Sequence, residues 1–300
     1  MPHSVTAIVP NWNGGEETLQ CLRSIKMQSY PDSIDVVCVD NCSTDGSPEV
    51  IMRQYPWVRV IQLKSPVGAA EAINIGFRKA EGDLILKLDN DVVLDPDCVA
   101  RLVEVLVSMD AVGAVGPLIY YLDRPALLMG AGGSIDLGTG RASLLHKGAD
   151  GRVWAEEWFQ TQYLQGSATI FTKDILKKVG LLDEQYYVYL DDVDWCIRLA
   201  RMGYRLLVAT RARIWHKGGS TTKRNRVRDY YYSRNSILLT RKNGLGRDKF
   251  RRFAAIGLRD LPRAGAKLCL GRTDLATSSS TAVGILDGIL TRSRRVVPEW

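Results

Sequence analysis

Short apolar runs alternate with stretches of helical periodicity over the first 120 residues. Val5–Val9, Asp35–Val39 and Val58–Leu63 are strand-length runs. Between the first two, Leu19, Leu22 and Ile25 recur at three-residue steps and predict a helix over 16–26. A second helix reaches Tyr55, with Asp45 or Ser47 as its cap. A third, over 68–80, leads into the apolar run from Leu84 to Leu88, which ends in Asp89, Asn90 and Asp91. A helix over 96–109, with Pro96 in its first turn, precedes a strand over 112–121. Strands alternating with helices of this length build βαβ units: an α/β fold, with a mostly parallel central sheet and helices on both faces.

The pattern changes after Tyr121. Residues 122–165 are rich in glycine and aromatics and have little periodicity, so long loops with a hairpin are expected. A strand over 166–171 and a helix over 173–179 follow. Trp195, Leu199 and Met202 then mark one face of a helix that begins near Asp191 or Asp192. Residues 211–216 form a strand running out into a glycine turn. The tail has a basic amphipathic signal over 247–271: Phe250, Phe253, Ala254 and Leu261 fall on one side, and Arg252, Arg259 and Arg263 opposite. Pro262 should end or kink that helix. A Ser/Thr-rich loop over 276–282 and a short apolar helix over 283–290 complete the reading.

Charge is unevenly placed. The net charge is +7, but Arg211 to the end holds 21 Lys/Arg against 6 Asp/Glu, while the preceding residues are net acidic. Such asymmetry fits a polyanionic partner, an anionic membrane face, or simply a solvated tail. Nucleic acid is the poorer partner, since no nucleic-acid-binding module is present and the basic residues flank apolar ones. For the amphipathic stretch two readings stay open: a membrane-surface helix, or an ordinary helix packing Phe250 and Phe253 onto the main domain. No apolar run is long enough to span a bilayer; the best, Leu102 to Leu122, is broken by Glu104 and Asp110. The N-terminus shows no basic leader, and the six cysteines contain no Cys-x-x-Cys pair. Reduced, buried thiols in a cytoplasmic protein are therefore expected, and zinc held by cysteine is not.

Polar residues gather where strands end: Asn11 and Asn13, then Asp40, then Asp89 and Asp91. Open α/β sheets hold ligands outside the carboxyl ends of their strands. Two carboxylates one residue apart suit Mg²⁺ or Mn²⁺ shared with a substrate diphosphate, although a turn using Asn90 would produce the same letters. No strand is followed by a dinucleotide or P-loop glycine motif, so dehydrogenases and P-loop enzymes lose support. Asp191, Asp192 and Asp194 open a helix, where one carboxylate could cap it and the macrodipole would favour an anionic general base. Three exceed what a cap needs. Of the three histidines, His3 and His146 invite no role. His216, at a strand end, reads as a structural residue or as a ligand to Mn²⁺ beside carboxylates.

Taken in order, Val9–Asn13, Val39–Gly46, Asn74–Gly76, Leu88–Asp91, Asp191–Asp194 and Trp215-His216 with Ser220 resemble the family-two inverting glycosyltransferases of GT-A fold, over about residues 4–245. The layout is closest to the rhamnosyltransferase-like branch, in which a Tyr-x-x-Arg-Asn, here Tyr231 to Asn235, follows the histidine. The resemblance implies a nucleotide-binding half (1–120), an acceptor half (121–245) and an appended basic helical tail (246–300). It implies that Pro10, Asn11 and Asp40, with Asn13 beside them, hold the nucleobase and ribose. Asp89, Asn90 and Asp91 would face the donor diphosphate, with Asp89, Asp91 and His216 around Mn²⁺ or Mg²⁺. Asp192 would be the base, and Asp191, Trp215 and Arg234 would touch acceptor or donor. Two departures stand out: Asp191 replaces the family's usual Glu, and Pro66 stands where many members have a donor-contacting Asn. The implied partners are a UDP- or dTDP-type sugar and a glycan or lipid-linked acceptor in polysaccharide or cell-envelope glycan synthesis, met at the inner face of the cell membrane. Two other readings compete. A sugar nucleotidyltransferase should carry a basic glycine-rich loop after the first strand, where Pro10–Glu17 is acidic. An inactive binding or scaffold module would tolerate loss of Asp91, Asp192 or His216, and all three are present.

Overall fold

The computed structural model describes residues 3–151, 154–218, 225–262 and 275–290. Its first half is a run of βαβ units: β1 (Val5–Asn11), α1 (Gly15–Lys26), β2 (Ile34–Asp40), α2 (Ser47–Gln54), β3 (Val58–Gln62), α3 (Ala69–Lys79) and β4 (Leu84–Leu88). Then come β5 (Val92–Leu94), α4 (Cys98–Val107), β6 (Val112–Tyr121), β7 (Leu128–Gly130), β8 (Gly133–Asp136), β9 (Arg141–Leu144), β10 (Trp158–Thr161) and β11 (Ala168–Thr172). The remainder is α5 (Lys173–Val179), α6 (Asp191–Arg201), β12 (Arg205–His216), α7 (Asn225–Asn243), α8 (Gly246–Ala255) and α9 (Leu275–Leu290).

The main sheet runs β10-β12-β6-β11-β4-β1-β2-β3, with β5 added on β12 and β7 on β6. Pairings among β1, β2, β3 and β4, and between β6 and β12, are parallel; β11 is antiparallel to both β4 and β6. Its buried strands alternate between two cores, as a period-2 pleat requires. Leu84, Leu86 and Leu88 of β4 join the core formed with α1, α2 and α4, whereas Ile85 faces the core formed with α3, α5 and α6. Lys87 falls on the same side as Ile85. On that side the helices approach closely: a Cβ added at Gly76 of α3 would sit 2.3 Å from Ile8 Cγ2.

Several elements depart from the sequence reading. Neither Asp45 nor Ser47 caps α2, which starts after left-handed Gly46 (φ 77°). Asp45 instead accepts from the Ser47 amide (3.0 Å) and from the Gly15 amide (3.0 Å), tying the loops after β1 and β2 together. Helix α4 begins at Cys98, so Pro96 lies outside it, its carbonyl accepting from Ser29. The hairpin within 122–165 is β8–β9, but β7 and β10 also extend the main sheet; strands of three and four residues are too short to show a period. The Ser/Thr-rich stretch 276–282 is not a loop: it belongs to α9, which packs along α7. Small residues permit that approach, since a Cβ at Gly284 would meet the Tyr230 carbonyl at 2.4 Å, and buried Asp287 accepts from the Tyr230 hydroxyl at 2.8 Å.

The tail faces the opposite way from an ordinary packed helix. Helix α8 continues as a π-helical turn, Ile256–Asp260. Arg252 is the buried residue, 4% exposed, donating to Asp260 (2.6 Å) and to the Ser236 hydroxyl (2.7 Å). Phe250 and Phe253 are 74% and 72% exposed, so they do not pack on the main domain. Arg263 and Ser220 lie outside the described residues.

Candidate active site

Four strand ends, those of β1, β2, β4 and β12, and the start of α6 converge at the carboxyl edge of the sheet. At the first, Asn11 is fully enclosed. Its amide donates to Asp40 (2.8 Å) and Ser47 (2.9 Å), and its oxygen accepts from Thr18 (2.7 Å), which in turn accepts from Asn90 (2.9 Å). This chain of bonds braces the ends of β1, β2 and β4 against one another. The crossing is tight enough to require glycine at position 14, where a Cβ would sit 2.1 Å from Thr18 Oγ1 and 2.2 Å from Asn90 Nδ2. Asp40 is 2% exposed and accepts from Asn11 and from Ser43. Asn13, left-handed at φ 48°, accepts from the Thr44 amide at 2.7 Å. Asp40 and Asn13 thus take part in bracing the rim.

The cleft itself has a volume of about 270 Å³. One wall is Pro10, Asn11, Trp12, Asn41 and Asn90; the other is Pro66, Val67, Tyr187, Val188 and Tyr189. Asn41 exchanges two hydrogen bonds with Val67, at 2.9 and 2.8 Å, which fixes the Pro66 loop against the end of β2. Trp12, Asn41 and Tyr187 were not marked by the sequence reading. A second cavity, of about 250 Å³ and lined by Arg101, Glu157, Trp158 and Arg211, contains none of the residues singled out above.

Beyond Asn90, Asp89, Asp91 and His216 come together, each offering a ligand atom within 4.8 Å of the others. Pairing of β5 with β12 sets His216 opposite Val92, and the Lys217 amide donates to the Asp91 carbonyl at 3.1 Å. His216 Nε2 lies 2.9 Å from Asp91 Oδ1. Burial alone would disfavour the imidazolium, but the bond to Asp91 and its charge raise the histidine above its ordinary range. Its Nδ1 is buried without a hydrogen-bond partner among the described residues. Two carboxylates and an imidazole at this spacing are a donor set that fits Mn²⁺, and Mg²⁺ through its oxygens. Nearby, Lys217 pairs with Glu17 and lowers its carboxyl below the usual range. Trp215, one residue earlier and so on the opposite face of β12, is half-buried against Tyr120 at 6.0 Å.

The start of α6 is shaped by a strained turn. Tyr187, Tyr189 and Leu190 all have left-handed φ values, 65°, 67° and 65°. Such backbone persists only where its surroundings hold it. Here Asn235 supplies the hold: its amide donates to the carbonyls of Tyr186 (2.9 Å), Val188 (2.8 Å) and Tyr189 (2.9 Å). Arg234, 5% exposed, donates to the Gln185 carbonyl and to Asn235, so it grips the same turn and does not open onto the cleft. Asn235→Ala would remove the one side-chain amide that all three carbonyls share. It is expected to lower unfolding stability by about 2–3 kcal/mol in a denaturant titration.

Of the three carboxylates that open α6, Asp194 is structural: it accepts from Tyr186, Arg198 and Asn243. Asp191 is 9% exposed and Asp192 half-buried. Asp192 Oδ2 accepts from the Gly166 amide at 2.8 Å. The macrodipole does not leave these two as ordinary anions. Burial raises both carboxyls, Asp192's charge further raises Asp191, and Lys87 opposes the rise. Lys87 and Gly166, which the sequence reading placed in strands and gave no role in the site, join Asp192 to Asp89. The signal available for Lys87 was a lysine inside an otherwise apolar strand.

An α/β sheet with this carboxylate rim and a cleft between two halves is the architecture of the GT-A glycosyltransferases. Solved structures share it. A mannosyltransferase from Pyrobaculum calidifontis, determined with GDP-Man and Mn²⁺, superposes with TM-score 0.61 over 98% of this chain and 89% of that one, at 18% identity. GalNAc-T7, determined with UDP, GalNAc and Mn²⁺, gives 0.60 over 84% of this chain and 54% of that one, also at 18% identity. Residues 6–180 match the glycosyl transferase family 2 profile. The N-acetylglucosaminyl-diphospho-decaprenol L-rhamnosyltransferase of Mycobacterium tuberculosis is 24% identical over 221 residues, 64% of this chain and 69% of that protein. An N-acetylglucosaminyltransferase of Bradyrhizobium elkanii is 35% identical over 121 residues, 39% of this chain and 66% of that one. The chain belongs to glycosyl transferase family 2. Within it, the chain is a rhamnosyltransferase-like glycosyltransferase.

Proposed function

We propose that the chain moves one hexosyl unit from a nucleoside-diphosphate sugar, of UDP or dTDP type, to a glycan or lipid-linked acceptor, with inversion. The observation that carries this is the meeting of Asp89, Asp91 and His216 beside the cleft, with Asp192 joined to the same corner through Gly166 and Lys87. The nucleoside enters between the Pro10–Trp12 and Pro66–Val67 walls. Asp192 takes the proton of the acceptor hydroxyl as its oxygen forms a bond to the anomeric carbon. The bond from that carbon to the diphosphate breaks on the opposite face, and the leaving group keeps the electron pair. Mn²⁺ or Mg²⁺, held by Asp89, Asp91 and His216, would neutralise the charge on the departing diphosphate, so no protein acid is required. Arg234 and Trp215 support the scaffold in this reading. Incubation with a panel of nucleoside-diphosphate sugars and Mn²⁺, scoring nucleoside diphosphate release, tests it. Release from one donor, stimulated by a lipid-linked acceptor, is the expected result; no release from any donor would contradict it.

The same reading puts the protein at the inner face of an anionic membrane. Phe250, Phe253 and Leu258 are 74%, 72% and 84% exposed, and Arg247, Lys249 and Arg251 beside them are exposed cations. Apolar side chains next to basic ones are what an acidic lipid surface recognises. No described helix is long and apolar enough to cross a membrane. Phe250→Asp with Phe253→Asp is expected to reduce flotation with phosphatidylcholine–phosphatidylglycerol vesicles by at least about tenfold, since burying each ring is worth about 1.5–3 kcal/mol. Unchanged flotation would remove the membrane assignment.

A further inference from the structure

Lys87 occupies a position that the sheet reserves for apolar side chains. Two residues earlier on the same face of β4, Ile85 is fully buried in the core beneath α3 and α6. The lysine side chain is itself only 11% exposed. Its ammonium donates to Asp89 Oδ1 at 2.9 Å and to the Gly166 carbonyl. The amide of that same glycine donates to Asp192 Oδ2 at 2.8 Å. A Cβ added at Gly166 would sit 3.0 Å from both Lys87 Nζ and Asp192 Oδ2. One residue therefore separates the ammonium from the carboxylate, and a side chain there would crowd both.

We propose that Lys87 is a positioning residue for Asp192: a buried ammonium that, across Gly166, holds the base carboxylate in register with Asp89. The alternative is a self-contained ion pair with Asp89 that α6 would not notice. The groups facing Asp192 favour the first. They are Asp191 and Cys196 on its own helix, Tyr163 after β10, Tyr232 on α7, and Asp89 with Lys87 on the strand below. Lys87 is the cation among them. Burying two neighbouring carboxylates without a compensating charge is costly.

The inference rests on the reading of Asp192 as the base, but its test uses no donor. Failure of the transferase reaction would appear in the release assay and leave this measurement standing. Thermal unfolding is followed at pH 5.5 and pH 8 in chelator for the full-length wild type, Lys87→Arg, Lys87→Met, and Lys87→Met combined with Asp192→Asn or with Asp89→Asn. A carboxyl whose folded-state pKa is raised lowers stability as pH rises through that value, and removing the nearby cation raises it further. Lys87→Met should therefore lose about 3 °C more in Tm at pH 8 than at pH 5.5, while Lys87→Arg keeps the wild-type pH dependence. Adding Asp192→Asn should recover at least about half of the pH 8 loss and recover more than Asp89→Asn does. Loss of a merely structural stem would be the same at both pH values, and that result overturns the proposal. Recovery by Asp89→Asn alone overturns it too. Should Lys87→Met not fold, a folded Lys87→Met/Asp192→Asn protein supports the proposal and an unfolded one contradicts it.

Discussion

Asp192→Asn is expected to lower sugar transfer by about 10²–10⁴-fold while nucleoside diphosphate binding stays within about threefold. The substitution preserves shape, and the new amide oxygen can still accept from the Gly166 amide that now meets Asp192 Oδ2 at 2.8 Å. What it cannot do is take a proton. Because the interaction lost exists only as the acceptor oxygen attacks, kcat should fall and the nucleotide dissociation constant should not. Burial raises the Asp191 and Asp192 carboxyls, so wild-type turnover should fall as pH drops through that raised range and recover as the pair ionises. Steady-state release kinetics and calorimetric titration with UDP and Mn²⁺ check both halves. Weakened binding with transfer preserved would refute the assignment.

The second large effect is expected at the metal corner. Asp91→Asn and His216→Ala should each weaken Mn²⁺ binding by more than about tenfold, read as free Mn²⁺ by electron paramagnetic resonance in the presence of UDP. Asp91 is the pivot, because its carboxylate meets the His216 ring at 2.9 Å and its carbonyl accepts from Lys217. Either substitution breaks the contact between carboxylate and imidazole. EDTA should abolish nucleoside diphosphate release, and added Mn²⁺ should restore it. Release that persists in EDTA would show the reaction proceeding without a divalent ion.

The elements that frame this corner were legible because local chemistry and tertiary fold agree. The apolar run Leu84–Leu88 ends in Asp89-Asn90-Asp91, and the sheet delivers those residues to its carboxyl edge as parallel topology requires. Trp195 and Leu199 likewise announce α6, which starts at Asp191. Other features were illegible for definite reasons. The use of Asp40 and Asn13 as braces depends on Asn11, Ser43 and Thr44 meeting across two loops, which no spacing encodes. The tail pattern left open whether its phenylalanines pack inward or face a membrane; Arg252 has Asp260 and Ser236 to receive it, and the rings turn outward. The Ser/Thr-rich part of α9 looked like a loop because its stability comes from lying on α7, with glycines 284 and 288 at the contact. Lys87 was visible as a letter, but its meaning comes from Gly166, which is 79 residues away in the chain.

Everything proposed for the chemistry depends on one ion sitting among Asp89, Asp91 and His216. Crystals of the full chain grown with MnCl₂ and UDP, measured at the manganese absorption edge, test that directly. The expected result is a single anomalous peak in coordination contact with those three side chains and with the UDP diphosphate. A peak elsewhere, or none with His216 still bonded to Asp91, would contradict it.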